Sequence, residues 1–187
     1  MDMTPIRLDR VLTPHRRAEV SIVLAERHEN MRQLLVSALI AQRLSLVTSV
    51  GELEGAETLI ANGEHDILIL DGGLPGREGN AFDLVRKIRR GAIGTNPFIA
   101  IFLTLWQPSR EAVRLAGECG ADAILVKPLS PAALVERVAA LAATRKRYVA
   151  VGDYVGPDRR RPNPRPFATE PVEVPNTLAM KAKGTFD

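Results

Sequence analysis

At 187 residues and 45% hydrophobic content the chain can bury one ordinary core with length left over, so a single domain with flanking segments is expected and a multidomain array is not. The net charge of +3 sits outside the centre: residues 20–144 carry 12 Lys and Arg against 14 Asp and Glu, residues 145–187 carry 9 against 5. The core is therefore not a basic nucleic-acid surface. The lone Cys119 excludes an intrachain disulfide, and no apolar run approaches the ~20 residues needed to span a bilayer. A soluble protein in a reducing, cytoplasmic setting is expected.

Residues 1–19 are basic and weakly patterned and read as an N-terminal arm. From Val20 short apolar runs alternate with helix-period stretches, the signature of a parallel sheet covered on both faces. Val20 to Ala25 is the first predicted strand. Met31, Leu34, Leu35, Ala38 and Leu39 recur at i, i+3, i+4, i+7 and i+8 and predict an amphipathic helix buried along that stripe. Leu46 to Val50 and Ile67 to Leu70 are the second and third strands, with a helix carrying Ala56, Leu59 and Ile60 between them and Gly63 near its end. Ala81, Leu84, Val85 and Ile88 give a third helix one apolar face. Phe98 to Leu103 and Ala123 to Val126 are the last two strands; Pro108 opens the fourth helix, and Ser130-Pro131 caps and opens a fifth lined by Leu134, Val138 and Leu141. Beyond Arg145-Lys146-Arg147 proline and arginine dominate, so the folded domain is placed at residues 20–147 and residues 148–187 are read as an extended or disordered basic tail.

Three strands end in chemically complementary groups. Ile67-Leu68-Ile69-Leu70 ends in Asp71 and opens into Gly72-Gly73-Leu74-Pro75-Gly76, the fourth strand ends in Thr104, and the fifth in Lys127-Pro128. Open α/β sheets place their ligands at the carboxyl ends of strands, so a carboxylate, a hydroxyl and an ammonium are expected at one site. His15, His28 and His65 have no ligand partner at helical spacing and support neither a metal site nor a phosphohistidine. There is no Gly-x-Gly-x-x-Gly after the first strand, no P-loop and no Ser/His/Asp set, so an enzyme with turnover is not expected.

Asp71 with Leu74-Pro75 and Gly79, Thr104, Lys127-Pro128, Gly120-Ala121-Asp122 and Arg32, in this order, resemble the receiver domain of two-component response regulators over residues 20–144. The resemblance implies a flavodoxin-like (βα)5 doubly wound sheet of strand order 2-1-3-4-5. It further implies that Asp71 accepts a phosphoryl group from a histidine kinase or phosphotransfer protein, that Thr104 and Lys127 contact the phosphate, and that Mg²⁺ is held by Glu26, Asp71 and the Gly73 carbonyl. The Lys-Pro bond is cis in many members, which an X-Pro bond permits.

Two positions depart from the family pattern. Where two adjacent acids usually follow the first strand, this chain has Glu26 and Arg27. One acidic ligand has become a cation, so Mg²⁺ is expected to bind weakly or not at all. Arg27 is then either a solvent-facing loop residue or a partner of Asp71 standing in for the metal's charge. Where many members carry a switch aromatic, this chain has Ile124, leaving Thr104, Trp106 and Ile124 as switch candidates. Two readings follow: a phosphoryl-accepting regulator acting on a downstream protein without a DNA-binding output domain, or a degenerate pseudo-receiver serving as a phosphorylation-independent interaction or dimerisation module. The tail is too proline-rich for a helix-turn-helix, a homodimer is left open, and neither nucleic acid nor membrane is an expected partner.

Overall fold

A computed structural model of the chain describes residues 20–42, 44, 46–160 and 171–174. The expected arm at residues 1–19 and most of the expected tail, residues 161–170 and 175–187, lie outside the described residues. Elements alternate as β1 Ser21–Ala25, α1 Glu29–Ala41, β2 Leu46–Val50, α2 Leu53–Asn62, β3 Ile67–Asp71, α3 Ala81–Arg89, β4 Ala100–Trp106, α4 Arg110–Glu118, β5 Ala123–Lys127 and α5 Pro131–Ala143. The five strands form one parallel sheet of order β2-β1-β3-β4-β5, the expected topology.

Side-chain alternation along each strand builds the two cores. Ile22 and Leu24 of β1, Ile67 and Ile69 of β3, Ala100 and Phe102 of β4 and Leu125 of β5 face one layer, closed by Leu35 and Leu39 of α1 and Leu134 and Val138 of α5. Val23 and Ala25, Leu68 and Leu70, and Ile101 and Leu103 face the opposite layer, closed by Ala56 and Ile60 of α2, Leu84, Val85 and Ile88 of α3 and Ala116 of α4. Near-continuous apolar runs in β1, β3 and β4 are thus the consequence of burial on both faces. Leu34, predicted on the buried stripe of α1, is instead 51% exposed, because the helix meets the sheet through Leu35 and Leu39 and leaves Leu34 at the flank. The helix entries follow local capping. Asn80 and Asp83 form a reciprocal capping box, and the Ser109 and Ser130 hydroxyls accept the Ala112 and Ala133 N–H groups. The fourth helix begins at Arg110 behind the Ser109 cap, two residues after Pro108.

The start of the expected tail is folded. Tyr148–Val151 (β6) and Tyr154–Pro157 (β7) form an antiparallel hairpin whose two-residue loop begins at Gly152, φ +55°. Tyr148 also exchanges both backbone hydrogen bonds with Val172. Burial of aromatic surface on a charged network outweighs the proline-rich composition here. The Tyr148 ring packs edge-on to Phe98 at 5.7 Å and lies beneath the Arg89 and Arg145 guanidinium groups, while its hydroxyl donates to Asp122 at 2.7 Å. Burial pushes the Tyr148 phenol well above its ordinary range.

At the crossing of β7 over the turn before β5, backbone meets backbone. A Cβ on Gly156 would stand 2.7 Å from the Gly120 Cα, and Gly120 itself has φ +95°. Gly156→Val is therefore expected to undock the hairpin, at a cost of about 1–3 kcal/mol. Thermal unfolding, with hydrogen exchange at the Tyr148 and Val172 amides, checks this.

Candidate functional site

Register places four groups together. Asp71 pairs with Thr104 across β3 and β4, and Glu26 extends β1 one residue beyond the Ala25 and Leu70 pair, so Glu26, Asp71 and Thr104 form a row at the carboxyl end of the sheet. Lys127 sits opposite Trp106, one pleat further on, and shares the side of the sheet on which Leu125 packs. All four positions continue the side-chain parity of the α1 and α5 layer, and all four are buried.

Lys127 is the hub. Its ammonium stands 2.5 Å from Glu26 Oε2 and 3.2 Å from Asp71 Oδ1, and all three side chains are at most 4% exposed. The backbone secures the two carboxylates: Glu26 Oε1 accepts the His28 N–H at 2.9 Å, and Asp71 Oδ1 accepts the Gly73 N–H at 3.0 Å. Arg32 of α1 donates to the Glu26 carbonyl at 2.7 Å, fixing the chain where it leaves β1. The Thr104 hydroxyl points to the Leu70 carbonyl at 3.4 Å, a long bond that leaves it able to turn toward another acceptor. The Lys127-Pro128 peptide is cis.

Asp71 Oδ2 is buried and has no hydrogen-bond partner among the described residues. The group facing it is Arg27, whose Nε lies 3.6 Å away and whose Nη1 donates to the Gly73 carbonyl at 3.3 Å. Arg27 Nε also donates to His28 Nε2 at 3.1 Å. Arg27 is 43% exposed in its side chain, so it lies across the mouth of the site with one face to solvent. Both expectations for Arg27 describe part of what is seen: the side chain is partly solvent-facing and stands within ion-pair distance of Asp71.

Every oxygen named for Mg²⁺ is therefore engaged by, or faced by, a nitrogen cation or an N–H group. Glu26 holds Lys127, Asp71 faces Lys127 and Arg27, and the Gly73 carbonyl accepts from Arg27. Among the described residues no three His, Cys, Asp or Glu side chains are grouped to hold a metal.

The switch candidates divide. Thr104 is in the site; Trp106, at the end of β4, is 56% exposed beyond it. Ile124 pairs with Leu103 and packs into the opposite layer, away from the Thr104 hydroxyl. Arg32 was among the residues that carried the resemblance, but its bond to the Glu26 carbonyl and the Glu26 to Lys127 pair, a contact across 101 residues, are features that sequence spacing did not reveal.

Chemically, the arrangement offers a carboxylate oxygen that accepts no hydrogen bond among the described residues, an ammonium and a guanidinium beside the same carboxylate, and a hydroxyl within a side-chain rotation. Such a set suits an incoming anionic group whose transfer needs charge neutralisation and positioning.

The family model described as the response regulator receiver domain matches residues 22–139. No curated protein is similar enough in sequence to count as a relative. Among solved structures, response regulator DrrB of Thermotoga maritima, an OmpR/PhoB homolog, is 22% identical with a TM-score of 0.58, over 71% of this chain and 56% of that one. An orphan response regulator of H. pylori is 23% identical with a TM-score of 0.57, over 66% of this chain and 97% of that one. Chemotaxis protein CheY4 of Vibrio cholerae is 22% identical with a TM-score of 0.55, over 64% of this chain and 96% of that one. The chain thus spans little more than half the length of the first of these and nearly all of the other two. At these identities the structures share its fold.

Proposed function

Since the chain belongs to the response regulator receiver family of two-component signalling, whose members work with histidine kinases or phosphotransfer proteins, we propose that it accepts a phosphoryl group on Asp71 and passes the signal on through protein contacts. The observation that carries this reading is that Asp71 Oδ2 accepts no hydrogen bond among the described residues while the Lys127 ammonium stands 3.2 Å from Oδ1 of the same carboxylate. In the transfer, an Asp71 oxygen bonds to phosphorus as the donor's bond to phosphorus breaks and the donor atom leaves with the electron pair. Lys127 then holds one phosphoryl oxygen, and the Thr104 hydroxyl rotates from the Leu70 carbonyl to donate to another.

In this reading the protein is a phosphorylated switch without catalytic turnover, acts in the cytoplasm, and regulates a protein partner. Among the described residues no helix is long and apolar enough to cross a membrane. Receiver domains typically bind Mg²⁺ in an acidic pocket. The residues here do not fit a hard divalent ion as they stand, because two cations already hold its oxygens, so Mg²⁺ is weakly bound or absent.

Arg27 also favours a second reading, a pseudo-receiver whose pocket is permanently closed by Arg27 and Lys127 and which docks on a partner, or on a second copy, without phosphorylation. Intact-protein mass after incubation with acetyl phosphate separates the two. A gain of one phosphoryl group by wild type and none by Asp71→Asn supports the first reading, and no gain by either supports the second.

A further inference from the structure

Arg27 reaches two of the three groups named for a divalent ion, the Asp71 carboxylate and the Gly73 carbonyl. Its Nε is 3.6 Å from Asp71 Oδ2 and its Nη1 3.3 Å from the Gly73 carbonyl oxygen. The side chain is held in place as well as attracted. Nε donates to the His28 ring at 3.1 Å, and the guanidinium lies against the backbone at Gly73, where an added Cβ would touch Nη1 at 3.4 Å. The charges close without a metal: the carboxylates of Glu26 and Asp71 face the cations of Lys127 and Arg27. A divalent ion added to that neutral set would bring two uncompensated charges to a site where Glu26, Asp71 and Lys127 are almost fully buried, and burying unbalanced charge is strongly unfavourable.

A guanidinium can also do part of what the ion would do. It keeps its charge at any working pH and presents a planar fork of N–H donors that matches two oxygens of a phosphoryl group. Phosphorylation of Asp71 removes the carboxylate charge that Arg27 faces and puts a dianion in its place, so the same side chain needs only a small shift to meet the new group.

We propose that Arg27 is a resident cation that replaces the divalent ion, so that Asp71 takes a phosphoryl group without metal. The exclusion of Mg²⁺ stands on the geometry alone, whereas the metal-free transfer rests on the phosphoacceptor reading above. With acetyl phosphate, the bond formed joins an Asp71 oxygen to phosphorus, the bond broken joins phosphorus to the acetate oxygen, and acetate leaves with that electron pair. Arg27 and Lys127 neutralise the phosphoryl oxygens throughout.

The test uses the full chain in two measurements. Titration calorimetry with Mg²⁺ is expected to show no saturable binding to wild type at millimolar ion and a gain of at least about tenfold in affinity in Arg27→Asp, which adds a carboxylate oxygen and removes a cation. Arg27→Ala, which removes only the cation, covers the case in which the aspartate variant does not fold. Intact mass with acetyl phosphate is expected to show the same gain for wild type in chelator as in Mg²⁺, and in chelator a loss of that gain in Arg27→Ala. Saturable Mg²⁺ binding to wild type that Asp71→Asn abolishes, or a wild-type mass gain that needs Mg²⁺, overturns the proposal while leaving phosphorylation intact. No mass gain in either buffer with Mg²⁺ still excluded overturns the phosphoacceptor reading, and with it the role of Arg27 in transfer.

Discussion

Asp122→Ala is expected to destabilise the protein by about 3–5 kcal/mol, the usual penalty for leaving a buried charge without its partner. Asp122 is held among Arg89 at 2.7 Å, Arg145 at 3.6 Å, the Tyr148 hydroxyl at 2.7 Å and the Ile101 N–H at 2.8 Å, with both its own side chain and that of Arg89 essentially out of solvent. Arg89 keeps its hydrogen bonds to the Gly120, Pro97 and Ile99 carbonyls in the variant, but its charge would face only dipoles. Asp122→Asn retains acceptors for Tyr148 and Ile101 and should cost less, so the difference between the variants in urea unfolding isolates the charge. Because this network ties β4, β5 and the β6–β7 hairpin together at the sheet end remote from Asp71, the hairpin amides should lose exchange protection first.

Lys127→Met is the second large effect, at the other end of the same strand. It strips Glu26 and Asp71 of their shared ammonium while both remain buried, leaving Arg27 to face Asp71 and, among the described residues, the His28 N–H to hold the Glu26 carboxylate. A loss of about 3–5 kcal/mol is expected at neutral pH, together with loss of phosphoryl uptake. Adding Glu26→Gln should recover part of the stability, because it removes the carboxylate that Lys127 neutralised, and should recover none of the uptake. Equal destabilisation in the single and double variants would show that Lys127 acts by packing its stem rather than by charge.

The strand ends were legible because β1, β3 and β4 are buried on both faces. Continuous apolar runs announce such strands, and the polar residue that breaks each run is how Asp71 and Thr104 stand out; Asp71 does close β3, whereas Thr104, expected to end the fourth strand, lies inside β4, which runs on through buried Leu105 to Trp106. Strand order followed from the family resemblance rather than from the runs themselves. The contacts of Arg27 were not legible: two positions after β1 the side chain could turn to solvent or across the pocket, and the choice depends on the Gly73 carbonyl 46 residues away. The hairpin was missed although its signal was present. Tyr148-Val149-Ala150-Val151 and Tyr154-Val155 flank Gly152-Asp153, a two-residue hairpin loop, but the neighbouring Arg and Pro run set the expectation for the whole segment. Leu34 shows the limit of periodicity, which gives the stripe of a helix but not how far around it the neighbours reach.

The most direct measurement of the central claim locates the modified residue. Wild-type protein treated with acetyl phosphate is reduced with borohydride, which converts an acyl phosphate on aspartate to an alcohol, and the peptides are mapped by tandem mass spectrometry. The reduced residue is expected at position 71, with none elsewhere and none in Asp71→Asn. Reduction at another carboxylate, or no reduced residue in wild type while a phosphodonor control protein is labelled, would contradict the assignment of Asp71 as the phosphoacceptor.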